Sequence, residues 1–276
     1  MFRAFIFFFL SIFLLSSCSQ PATVSGKTLS FKKTYALAKE PIPKDFIPSD
    51  LKIVSIGDSL TKGIGDSTKR GGYVPYLQTK LEGQKGINQV HFLNYGVKGN
   101  KTSDLLNRLK TKEIQNAIKN ADMVILTIGG NDLMKVVKEN ISHLKKSDFT
   151  LPQKQYRDNL TKIIGAIRKI QPRTSVMVMG LYNPFYTWFA DVKEMEEILA
   201  DWNQTGQNVV LSYKNTYFVQ VDELFKRSSE NLLHTDFFHP NDKGYSLIAD
   251  RLYRTLTDRA LDELSKRRYI ASKEEN

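Results

Sequence analysis

Cysteine is almost absent from this chain: one residue, Cys18, in 276. A single thiol can form no intramolecular disulfide, so cross-links cannot be what holds the fold. Histidine is scarce too, with four residues. No two of them have credible metal-ligand spacing, so no metal site is expected and no cofactor is called for. Long apolar runs are missing beyond the first residues, and Ala4–Leu15 is too short for a comfortable membrane span. The phosphate-loop pattern G-x-x-x-x-G-K-[ST] does not occur, and neither does G-x-G-x-x-G, which argues against a nucleotide-binding module. The G-x-S-x-G elbow of one hydrolase class is also missing around Ser59.

What is present begins with MFRAFIFFFLSIFLLSSCSQP. Arg3 supplies a positive start, an apolar stretch follows, and small residues precede Cys18, as in a secretory signal peptide. The stretch also resembles the bacterial lipobox, in which the cysteine becomes the lipidated first residue of the exported protein. Residues 1–17 are therefore expected to be a signal peptide and Cys18 a lipid attachment site. Residues 18–50 show no sustained period and carry prolines at 41, 43 and 48. They read as a tether reaching about 30 Å, enough to hold a domain beside the outer face of a membrane. The formal charge of +11 suits an anionic envelope surface or a lysine-rich solvated face. Nucleic acid is not an expected partner of an exported protein.

From residue 51 to about 270 the length suits one domain, with a polar tail over 271–276. Apolar stretches alternate in type. LKIVSIG, NQVHFLNYG, ADMVILTIGG, TSVMVMGLY and TYFVQVDEL read as strands. Between them lie amphipathic segments. One carries Val74, Leu77 and Leu81; one runs over KTSDLLNRLKTKEIQNAIKN with Thr102 or Ser103 as its cap; one ends before Pro172; one contains Trp202; a closing helix starts at NDKGYSL. Continuous apolar strands separated by amphipathic helices predict an α/β fold with a parallel sheet covered on both faces. In such a sheet the reactive loops gather at the carboxyl ends of the strands.

Four of those loops hold chemistry. GDSL follows the first strand, NYGVKGNKT the second and GGND the third, while DFFHP comes after the fifth. Together they offer a serine, backbone amides, an asparagine amide and an Asp/His pair. A serine hydroxyl needs a base to take its proton, and His239 can serve. The base needs a carboxylate to orient it, and Asp236 stands three residues upstream. A tetrahedral intermediate needs preorganised donors for its oxyanion. The amides of Ser59 and Gly99 and the side chain of Asn131 are available.

These four blocks, in this order, resemble those of the SGNH (GDSL) hydrolase superfamily, over about residues 51–265. The resemblance implies a three-layer αβα sandwich on a five-stranded parallel sheet, and hydrolysis of carboxylic esters or thioesters without a metal. Carried over by motif position, it implies Ser59 as nucleophile and first oxyanion donor. Gly99 and Asn131 are then the second and third donors, His239 the base and Asp236 its partner. Asn100-Lys101-Thr102 departs from the Thr-Thr or Ser-Thr that many members carry after the second-block glycine.

Other residues have plainer readings. Asp58 and Asp132 are expected to accept from backbone amides and stiffen their loops. His91 reads as a core histidine, His143 as solvated, and His234 as a neighbour of the base. The glycines between Gly63 and Gly72 suggest a flexible loop beside the serine. The aromatic stretch LYNPFYTWF, residues 181–189, is either a loop packed on the core or a wall of an acyl pocket. The expected protein is an exported, lipid-anchored serine esterase acting on a small ester or envelope lipid, with short to medium acyl chains preferred. O-acetyl esterase or acetyltransferase action on a wall polysaccharide is the alternative, and an inactive anchored binding protein a third.

Overall fold

A computed structural model describes residues 48–185 and 193–261. The expected signal peptide, Cys18, nearly all of the tether, residues 186–189 of the aromatic stretch and the tail lie outside the described residues. Five strands form one sheet: β1 (Ser49–Gly57), β2 (Ile87–Gly96), β3 (Met123–Thr127), β4 (Ser175–Met179) and β5 (Thr216–Val219). Every pairing is parallel and the order is β2-β1-β3-β4-β5. The helices in chain order are α1 (Ser59–Lys62), α2 (Tyr73–Glu82), α3 (Thr102–Arg108), α4 (Lys112–Lys119), α5 (Gly130–Asn140), α6 (Thr150–Ile170), α7 (Lys193–Leu211), α8 (Asp222–Lys226) and α9 (Asp242–Arg259).

The central strands are buried over most of their length and mainly apolar, because both of their faces are covered. Successive side chains alternate between faces. Ile53, Met123, Ile125, Met177 and Met179 meet Tyr73 and Leu77 of α2 and Tyr245, Ile248 and Leu252 of α9. Val54, Ile56, Val124, Leu126, Val176 and Val178 turn the other way, onto a layer containing Leu105, Ile118, Leu160, Ile164 and Trp202. Each fully buried aliphatic side chain contributes about 1.5–3 kcal/mol. The result is the three-layer αβα sandwich that the sequence predicts.

The strand order also places the site. The chain runs from β1 outward to β2, then returns across β1 to β3. Crossovers leaving β1 and β3 therefore diverge to opposite faces and open a crevice at their carboxyl ends. The connections carrying Ser59 and Asn131 begin there.

Several local expectations are corrected. The segment from Lys101 to Asn120 is two helices, with a break at Leu109–Thr111. In one continuous helix Ile114 would sit about 180° from Leu105, at 100° per residue. The break resets the phase, so Leu105, Leu109, Ile114 and Ile118 are all buried in one core. Its start is capped by neither Thr102 nor Ser103. Lys101 N–H donates to Asp104 at 2.9 Å, and the Thr102 hydroxyl is taken by Asp132. The fifth strand stops at Val219, and Asp222 opens α8. His91 is no core residue. β2 is an edge strand, and the half-exposed His91 ring stands 3.1 Å from Asp50.

Candidate active site

The loop after β1 is shaped by a close approach. A Cβ on Gly57 would lie 2.0 Å from the Thr127 carbonyl oxygen, so only glycine lets the ends of β1 and β3 meet. Asp58 follows as the N-cap of α1, its carboxylate accepting from Leu60 N–H at 3.0 Å. Ser59 is thereby the first residue of a helix, where a backbone N–H has no intrahelical acceptor. Its side chain is buried against the sheet but lines the cavities described below.

His239 arrives from the other end of the chain. Its Nε2 is 2.9 Å from Ser59 Oγ, and its Nδ1 is 2.6 Å from Asp236 Oδ2. The other Asp236 oxygen accepts from the backbone N–H groups of Phe238 at 3.1 Å and His239 at 3.0 Å. The carboxylate thus fixes both the turn and the ring. The turn is closed by His234 N–H donating to the His239 carbonyl at 2.8 Å, with Phe237 held at φ +53°. Partial burial disfavours the Asp236 anion. Hydrogen bonds from the His239 ring and the two amides outweigh it and hold its carboxyl down at about 2. His234 contributes backbone; its ring contacts Thr235, not Ser59.

Asn131 lies in the first turn of α5 rather than in a loop, and its amide donates to the Asn100 carbonyl at 3.0 Å. Gly99 has φ +81°, a left-handed conformation that a side chain would strain. Both residues line one cleft with Ser59 and His239. The sequence therefore names five residues that the structure brings together around one point, and Cys18 alone lies outside the described residues.

The surrounding frame was less legible. Thr127 donates to Asp58 at 2.9 Å and lies 2.8 Å from the Thr61 hydroxyl, which is 3.1 Å from Tyr73 Oη. All four groups are buried beneath Ser59. Burial pushes the Asp58 carboxyl up to about 7 and the Tyr73 phenol up to about 12. Asp132 accepts from Thr102 N–H at 3.0 Å and from its hydroxyl at 2.5 Å, tying α5 to α3. Burial raises its carboxyl too. Arg108 clamps the loop that carries Gly99, donating to Tyr95 O at 2.7 Å and to Asn100 Oδ1 at 2.8 Å. Asn100, where the sequence departs from the family pattern, is thus held on both its backbone and its side chain.

The glycine-rich loop is built, not slack. The Asp66 carboxylate accepts from the N–H groups of Thr68, Arg70, Gly71 and Gly72 and from the Thr68 hydroxyl. An Asp among glycines was the available signal, because an anion can collect several amides only where the backbone curls around it.

Two cavities meet at Ser59. A narrow one of about 50 Å³ is bounded by Leu133, Met134, Met179, Leu181, Met195 and Leu199. Tyr182, Pro184 and Phe185 also line it, so the described part of the aromatic stretch is a pocket wall. The second is a wider cleft of about 480 Å³ that adds Lys98, Lys138, Asp236, Phe237 and His239.

The GDSL-like lipase/acylhydrolase family matches residues 55–247. The chain belongs to that family. As a member it is a GDSL-type ester hydrolase. It is 37% identical over 211 residues to the uncharacterized protein YpmR of Bacillus subtilis strain 168, covering 76% of this chain and 82% of that one. It is 28% identical over 207 residues to the spore germination lipase LipC of Bacillus licheniformis, covering 73% and 94%. Among solved structures, the lipase Lip_vut3 from a goat rumen metagenome shares the fold, with TM-score 0.67, 24% identity and coverage of 74% and 97%.

Proposed function

We propose that this GDSL hydrolase is an exported, membrane-anchored serine esterase in which Ser59, His239 and Asp236 act as a triad. The observation that carries the reading is the unbroken chain of contacts from Ser59 Oγ through the His239 ring to Asp236, at 2.9 and 2.6 Å. Asp236 holds the proton on Nδ1, leaving Nε2 free to accept the Ser59 proton as Oγ attacks the ester carbon. The oxyanion is received by the amides of Ser59 and Gly99 and the side chain of Asn131. Imidazolium returns the proton to the departing alcohol. Water then repeats the sequence on the acyl-serine and releases the acid.

The narrow pocket favours an acyl chain over a bare acetyl group, since it is walled by methionine, leucine and phenylalanine. A relative named a lipase points the same way. Cys18, the only cysteine, supplies the anchor. Two acyl chains, or one beside a basic surface, suffice for stable attachment.

Ser59→Ala and His239→Ala should each remove hydrolysis of an activated ester and labelling by a fluorophosphonate, while circular dichroism stays unchanged. Loss of activity in His234→Ala with His239→Ala still active would reverse the assignment of the base. Cys18→Ser should release the protein from the membrane fraction or stall its processing. A wild-type protein found free in the medium with an unmodified N-terminus would end the anchoring proposal.

A further inference from the structure

The two cavities that share Ser59 differ in charge. Apart from the buried Asp58, no charged residue bounds the narrow pocket among the described residues. The wider cleft is bounded by Lys98 and Lys138. The described acid lining it is Asp236, whose carboxylate is committed to the His239 ring and two amides. Neither lysine makes an ion pair among the described residues. Lys98 directly precedes Gly99. On α5, Asn131, Met134 and Lys138 follow one another at i, i+3 and i+7, so they share a face, and all three line the cleft. The helix rise puts Lys138 about 10 Å along the axis from Asn131. Phe185, Phe237 and Phe238 also line the cleft, and Phe237 is exposed at the surface.

An ester whose carbonyl sits at Ser59 has one cavity available to each of its arms. We infer that the acyl arm takes the apolar pocket, and that the alcohol arm carries an anionic group, a phosphate or a carboxylate, received by Lys98 and Lys138. The substrate class is then an anionic amphiphile rather than a neutral glyceride. This deepens the esterase reading and rests on it. Discrimination comes from field and from contact at a solvated rim, where each lysine is worth at most about fivefold and the pair about tenfold. Salt should erode it, because such charges are screened over about 10 Å at 0.1 M.

The test uses the mature protein with decanoyl esters below their aggregation concentrations. Monodecanoylglycerol is neutral and decanoyl-lysophosphatidylglycerol is anionic. Phenyl decanoate and 4-carboxyphenyl decanoate form a second pair, in which the anion is a carboxylate. At low salt the kcat/KM ratio of anionic to neutral ester should be about ten. It should fall toward one in Lys98→Ala/Lys138→Ala, invert in Lys98→Ala/Lys138→Glu, and shrink in 0.5 M NaCl. A preference in the lysolipid pair alone assigns the rim to phosphate; one in both pairs assigns it to anions generally. A wild type that cleaves the neutral esters with a ratio near or below one overturns this inference and leaves the esterase reading standing. So does a ratio of ten that survives the double substitution in a folded protein. A wild type that cleaves none of the four overturns both.

Discussion

Asp58→Asn offers a test of the frame beneath the serine that does not depend on substrate. Asp58 is 3% exposed, and burial raises its carboxyl from an ordinary 3.8 to about 7. Below pH 4 the folded and unfolded chains both carry the proton, and Asp58 costs nothing. Between pH 4 and pH 7 the unfolded chain loses it while the folded chain keeps it. Stability then falls by about 1.4 kcal/mol per pH unit and levels off at a cost of about 4 kcal/mol above pH 7. Asparagine cannot ionise. Its carbonyl oxygen can still accept from Leu60 N–H and the Thr127 hydroxyl, which converge on one Asp58 oxygen. The new NH₂ adds an offset that does not vary with pH, so the slope isolates the charge. Urea unfolding of both proteins at pH 4 to 8 measures it, and Asp132 cancels to first order in the difference. The variant should gain about 4 kcal/mol on the wild type across that range. A difference that stays constant with pH would show that Asp58 is ionised in the folded protein throughout, and the argument from burial would fail.

Four other outcomes are expected. Asp236→Asn should lower kcat by about 10⁴, since an asparagine cannot hold the imidazole in the working tautomer. The wild-type kcat/KM should lose only one proton's worth of activity on the acid side, because Asp236 stays ionised down to about pH 2; a slope of two above pH 4 would contradict this. Gly57→Ala should destabilise the domain by about 3 kcal/mol or prevent folding, because its methyl would meet the Thr127 carbonyl; a melting temperature close to wild type would refute the close approach. In a p-nitrophenyl ester series, kcat/KM should rise about fourfold per methylene while the chain is being buried, then fall before the long chains. A steady rise to palmitate with activation at an oil–water interface would mean a true lipase.

The primary structure by itself determined the layer architecture and most of the site. Short apolar runs bounded by turn residues read as strands, and the amphipathic segments between them read as the helices that cover the sheet. Once the sheet is parallel, Ser59, Gly99 and Asn131, which follow the carboxyl ends of β1, β2 and β3, must share one edge. The spacing of Asp236 and His239 is local, so their contact is legible from three residues of separation. Tertiary structure decided what depends on contact across many residues. Thr127 lies beneath Asp58 because β1 and β3 pair in one register. The break between α3 and α4 follows from where the core sits relative to Leu105 and Ile114. Asp66 and Arg108 find their partners only when the backbone folds around them. His91 looked apolar by company, but a strand's neighbours in sequence do not say whether it has a neighbour in space. That β2 is an edge strand is a fact of topology, and only the fold could supply it.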